Sequence, residues 1–205
     1  MEELELMARY GMVIDMRTCV GCQACMVACT TENQTPFWSD KFRTHVEDKE
    51  TGVYPDVHRV LLPRLCMHCE NTPCLSACPT GATFKTKDGI VLVNYDRCIG
   101  CYACCIACPY DARYPYENED VNKEKELYGK NATHEVPHVD KCTFCEHRIS
   151  LHTEPACVST CPTHTRIFGD LDDPASEVHK IATSGKATAL NQGLGTSPKV
   201  FYIPS

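Results

Sequence analysis

The stretch Cys98-Ile-Gly-Cys101-Tyr-Ala-Cys104-Cys105-Ile-Ala-Cys108-Pro109 limits this chain more than any other. Three of its cysteines stand two residues apart, and the last follows after three more residues, just before a proline. That spacing suits [4Fe–4S] chemistry, because three thiolates in a tight loop can wrap one cube. The last cysteine starts a helix that leaves the loop, so it is aimed at a second cube. One run therefore implies a partner run. The sequence has four: Cys19, Cys22, Cys25 and Cys29; Cys66, Cys69, Cys74 and Cys78; the run from Cys98; and Cys142, Cys145, Cys157 and Cys161. Proline follows every terminal cysteine except Cys29, which threonine follows.

Seventeen cysteines in 205 residues suit either a disulfide scaffold or a metal protein. Their odd number and dense grouping speak against disulfides. A bare C-x₂-C pair would also suit zinc, but the full four-cysteine spacing, present twice, is specific to iron–sulfur. Trp38 is the only tryptophan and large apolar side chains are few, so metal clusters must do much of the holding. The formal charge is −7 with cysteine counted neutral, and filled sites would make it more acidic. A nucleic-acid partner is excluded on that ground, since phosphate needs a basic face. No apolar run is long enough to span a membrane. MEELELMARYGMVID shows neither a basic n-region with an apolar h-region nor twin arginines. That is compatible with the cytoplasm, and also with export while bound to a partner that carries the signal.

Read in order, residues 10–16 are a short apolar strand leading into the first run, where Gly21 fits the tight loop. Residues 30–65 form a mixed connector, with turn and loop first and a strand within PDVHRVLLPRL. Lys87-Asp88-Gly89 makes a hairpin turn between the second and third runs. Residues 117–139 are charged and read as a solvated loop or short surface helix, with partner docking as the alternative. EHRISLHTEPA begins helical and becomes a loop near Pro155. Pro174 opens a helix over 175–183, and Lys199-Val-Phe-Tyr-Ile closes a small-residue tail.

The fold class expected is α+β, with two bacterial-ferredoxin-like 2[4Fe–4S] modules related by internal repeat, one of them discontinuous. Residues 1–45 plus 137–175 carry runs one and four; residues 46–116 carry runs two and three. Residues 117–136 are an insert, and 176–205 a C-terminal helix and tail. Local pairing of runs two and three leaves one and four to each other, and crossover gives four ligand sets. Set one is Cys19, Cys22, Cys25 and Cys161; set two is Cys29, Cys142, Cys145 and Cys157. Set three is Cys66, Cys69, Cys74 and Cys108; set four is Cys78, Cys98, Cys101 and Cys104. The rival pairing, one with two and three with four, needs a long connector inside each unit. Cys105 is left over as a small thiol. Arg17, Arg64, Arg97 and Lys141 precede the runs, where they would raise cluster potentials or simply face solvent. His68 donates to a cluster sulfur or faces solvent. There is no nucleotide fingerprint and no nucleophile–base pair, so the chain moves electrons and has no catalytic residues of its own.

The segments CVGCQAC, CMHCENTPCLSACPTGA, KDGIVLVNYDRCIGC, ACPYDARY, KCTFCEHR, PACVSTCPT and FGDLDDP together resemble the four-cluster iron–sulfur subunits of the DMSO reductase (molybdopterin) family. The resemblance is nearest to the polysulfide/thiosulfate reductase type. It implies four [4Fe–4S] clusters, a catalytic subunit with a bis-pterin molybdenum or tungsten site, and an integral membrane subunit that exchanges electrons with quinone. It further implies that set one lies nearest the pterin subunit and set four nearest the membrane, at the periplasmic face after co-export. Alternatives are the same relay serving a tetrathionate, arsenate or DMSO reductase, a formate dehydrogenase or a hydrogenase, and a free polyferredoxin carrier.

Overall fold

The computed structural model describes residues 8–205. Residues 1–7, which open both the N-terminal segment read above for a signal and the first assigned span, lie outside the described residues. β1 (Tyr10–Asp15) runs into the first cysteine loop, and α1 (Ala24–Asn33) leaves it. β2 (Thr44–Val53) and β3 (Asp56–Leu65) then form a ten-residue antiparallel hairpin. The connector over 30–65 is thus mostly ordered: α1 takes its start, and both arms of the hairpin are strands. The arm 44–53 is charged and exposed over most of its length, which hid its strand pattern. A boundary at 45/46 falls inside β2.

The second and third runs supply α2 (Pro73–Ser76), β4 (Thr83–Lys85), β5 (Val91–Val93) and α3 (Ala103–Ile106). β4 and β5 pair as a hairpin, turning through Gly89 at φ +74°. β6 (Tyr114–Tyr116) follows, and α4 (Asn118–Tyr128) takes up the first half of the charged stretch. α4 is more than a solvated insert. Asp120, Val121 and Glu124 are buried, and Glu124 accepts hydrogen bonds from Tyr116 and from the Thr133 N–H. β7 (His138–Asp140) pairs with β6 and returns the chain to the fourth run. That run supplies α5 (Glu146–Ile149) and α6 (Ala156–Ser159).

β8 (Arg166–Asp170) pairs antiparallel with β1; α7 (Glu177–Thr183), β9 (Thr188–Ala189) and β10 (Val200–Ile203) complete the chain. The resulting sheet has the order β8-β1-β10-β9, with β10 parallel to β1. Residues 176–205 are therefore no appendage, since their last strand lies inside the sheet beside β1. β1 is buried on both faces. Met12 and Ile14 join the core that holds Cys25, Cys142 and Cys157, whereas Val13 packs with Leu171, Val178 and Ile203. Alternation along one strand thus separates a metal-facing core from a purely apolar one. Gly11 allows this crowding: a Cβ there would lie 2.8 Å from the Lys199 carbonyl oxygen.

Candidate metal centres

Each run begins with a C-x-x-C loop, and in each the residue just before the second cysteine takes a left-handed conformation. These residues are Gly21 (φ +69°), His68 (+43°), Gly100 (+63°) and Phe144 (+55°). Glycine accepts this at little cost; histidine and phenylalanine do not. His68 and Phe144 offset the strain by stacking on each other, with ring centroids 3.7 Å apart. His68 is fully buried, so it does not face solvent. Nor does it reach a sulfur: its Nδ1 accepts from the Val91 N–H and its Nε2 has no partner.

Cys19, Cys22, Cys25 and Cys161 line one cavity, with Val46, Thr165 and Arg166 completing its wall. Cys29, Cys142, Cys145 and Cys157 line another. Two spaces, each ringed by four sulfurs from runs one and four, suit the same kind of group. Cys66, Cys69, Cys74 and Cys108 lie close enough to perturb one another electrostatically. In the fourth set Cys98 and Cys104 pack together in a small cluster with Tyr102, Cys78 is half-buried and Cys101 is exposed. Cys105 sits in that same cluster beside Cys104, as a small packed thiol.

All 17 cysteines are free, which removes the disulfide scaffold. Among the described residues no three metal-binding side chains converge on a point where one ion would sit. In sets one and two the four sulfurs surround a space, as a polynuclear cluster requires. Burial pushes the Cys69 and Cys142 thiols up to about 12 and Cys157 up to about 11. Alone, these groups would stay protonated. A cationic metal core deprotonates them outright. The cysteines that end the second and fourth runs behave differently. Burial opposes their ionisation, but backbone N–H groups of Thr83, Thr80 and Ala82 at Cys78, and of Thr163 and Thr165 at Cys161, outweigh it and hold both thiols below the ordinary value. The proline after each of these cysteines helps turn the backbone back over its sulfur.

The basic residues just before the runs are mostly not where a tuning charge is needed. Arg17 is exposed and pairs with Asp15, while Arg64 is held by Glu47 and the Tyr110 carbonyl. Arg97 is exposed. Only Lys141 is buried. Further buried cations near sulfur are Arg166 and Arg113, each five residues after the last cysteine of its run, and Arg43, which no spacing to a run reveals. Arg43 is held by Asp140 at 2.8 Å and orients Asn33, whose amide nitrogen points at Cys29 (3.6 Å) and Cys145 (3.8 Å). Gln23 fixes the first loop by exchanging two hydrogen bonds with the Val46 backbone. Gln23 and Asn33 stand at the two ends of α1 and Arg43 just before β2, and no motif announces them.

Two 4Fe-4S dicluster domain models match the sequence, one over residues 57–171 and one over 18–83. With its four-sulfur cavities and mixed α/β content, this protein belongs to the 4Fe–4S dicluster family, and its 17 cysteines fit four [4Fe–4S] clusters. It is 45% identical over 199 residues to the B subunit of tetrathionate reductase from Salmonella typhimurium, an alignment covering 95% of this sequence and 72% of that one. It is 40% identical to the B component of polysulfide reductase from Wolinella succinogenes (96% and 95%). It is also 40% identical to the arsenate respiratory reductase iron–sulfur subunit of a Shewanella strain (96% and 97%). It is thus an electron-transfer subunit of the kind found in respiratory reductase complexes, and not a catalyst by itself.

Proposed function

We propose that this chain relays electrons through four [4Fe–4S] clusters, held by the four cysteine sets above, between a bis-pterin molybdenum or tungsten catalytic subunit and a quinone-interacting integral membrane subunit. The reductase is of the polysulfide/thiosulfate type, and the same relay in the tetrathionate and arsenate relatives serves other acceptors. The observation that carries this reading is a gradient of exposure. Sets one and four each contain an exposed cysteine, Cys22 and Cys101, whereas every cysteine of set two and three of set three are buried. Exposed apolar side chains lie near both ends: Val20 and Val27 by set one, Ile99 and Ile106 by set four. An insulated middle with two apolar openings suits a conductor docked at each end. A free carrier needs only one opening.

The four left-handed loop residues and the stacking of His68 on Phe144 support two modules related by internal repeat. The β1–β8 pairing supports a discontinuous module built from runs one and four. Set one faces the pterin subunit, and set four faces the membrane subunit at the periplasmic side, after co-export. Among the described residues no helix is long and apolar enough to cross a membrane. The test is anaerobic purification of the full chain from its host. The expected result is co-elution with a large molybdenum- or tungsten-containing subunit and a membrane subunit, with about sixteen irons per chain and reduction by quinol. Protease should reach the complex in spheroplasts. Elution as a free chain, or cleavage only in inverted vesicles, would overturn the partner or the sidedness respectively.

A further inference from the structure

Between neighbouring cysteine sets stand three buried cations, and none of them pairs with a carboxylate among the described residues. Arg166 separates sets one and two. It donates to Cys25 Sγ at 3.4 Å through Nη2 and to Cys157 Sγ at 3.7 Å through Nη1, and Thr44 Oγ1 anchors it at 2.8 Å. Lys141 is fully buried, beside Cys142 of set two and within the field of Cys66 and Cys74 of set three. Its ammonium is tied to the Cys142 carbonyl at 2.5 Å. Arg113 is buried within the field of Cys74 and Cys66 of set three and of Cys104 of set four. Its Nη1 donates to Thr83 Oγ1 at 3.1 Å, while Nε and Nη2 are buried without a partner. A buried cation lacking a counter-ion is strongly disfavoured unless something negative lies close. Here the only nearby negative groups are sulfurs, drawn from two different sets at each junction.

We infer that Arg166, Lys141 and Arg113 are shared tuning charges, each raising the reduction potential of both clusters it separates. The inference rests on the ligand sets proposed above. Adding an electron to a cluster makes its site more negative, and a cation fixed at the boundary stabilises that electron on either side. A shared charge lifts two neighbours together, so it keeps their potentials matched. One placed on the outside would lift a single cluster and open a step in the relay.

The test is redox-titrated EPR of the four-cluster protein with methionine at each position, together with iron analysis. Arg166→Met should lower two of the four midpoint potentials. The expected size is about tenfold in the oxidised-to-reduced ratio, which is about 59 mV for one electron. Arg113→Met should lower the other two, and Lys141→Met one from each pair. Arg166→Lys, which keeps the charge, should restore most of the change. If Arg166→Met loses iron, Thr44→Asp decides, because it leaves the guanidinium in place and neutralises it. Full iron with the same two potentials lowered supports the inference; unchanged potentials or lost iron overturn it. Shifts confined to one cluster, or a cluster moved by both Arg166→Met and Arg113→Met, also overturn it. A wild-type protein with far fewer than about sixteen irons would sink the ligand sets instead, before any variant is made.

Discussion

Asp140→Asn tests how the second centre is supported. Asp140 and Arg43 form an ion pair at 2.8 Å with side chains 1% and 5% exposed, so neither charge can turn to water. The carboxylate also accepts hydrogen bonds from Tyr95 at 2.9 Å and from Tyr114. An asparagine keeps the shape but leaves the guanidinium buried and unpaired, which costs about 3–5 kcal/mol. For a chain of this size that corresponds to a melting point lower by roughly 6–20 °C. Arg43 also orients Asn33 toward Cys29 and Cys145, so the second cluster should bleach first. The assay is anaerobic thermal unfolding at fixed scan rate, followed by circular dichroism and by visible absorbance. Replacing both partners with apolar residues, Arg43→Met with Asp140→Leu, should recover most of the loss, since an intact buried pair has little net value over good packing. A single variant melting within about 2 °C of wild type, or a double variant no better than the single, would refute the reasoning.

Three further outcomes are expected. Cys161→Ser and Cys19→Ser should abolish the same EPR signal, whereas Cys157→Ser abolishes a different one; loss of one common signal in all three would refute the crossover. Cys105→Ala should keep about sixteen irons, because the four ligand sets leave Cys105 over; lost iron would make Cys105 a ligand. Glu124→Gln should lower amide protection over residues 118–134 by roughly tenfold or more, as read by hydrogen exchange. Burial alone would raise the Glu124 carboxyl, but hydrogen bonds from Tyr116, Thr133 and His134 outweigh it and hold it below the usual range. Its stabilisation is therefore full well above about pH 4.3 and fades as pH falls from there through the lower folded-state value. Normalised protection should drop in acid for wild type and not for the variant.

What could be read beforehand was local. Thiol spacing is set by the size of a cube, and the proline after Cys78, Cys108 or Cys161 follows from the turn the chain makes there, so both appear as fixed short intervals. The hairpin at Lys87-Asp88-Gly89 was legible for the same reason. Position 68 was not: a histidine in the place where other runs use glycine is explained only by Phe144, far along the chain. The supports at Arg43, Asn33 and Gln23 were hidden too, since each is an ordinary polar residue until the fold brings it to sulfur. The basic residues before the runs misled, because proximity in sequence left Arg17 and Arg64 pairing with Asp15 and Glu47. β10 could not be placed from its four-residue pattern, as its parallel partner begins at Met12.

That late strand has a bearing on biogenesis. Met12 is matched with Val200, so the sheet under the first cysteine loop cannot close until Val200 has left the ribosome. Residues 66–108, whose hairpin and short helices are local, can take up iron much earlier. Maturation would then proceed from the half built on runs two and three toward the half that needs runs one and four, and a chain lacking β10 would emerge loaded at one end and empty at the other.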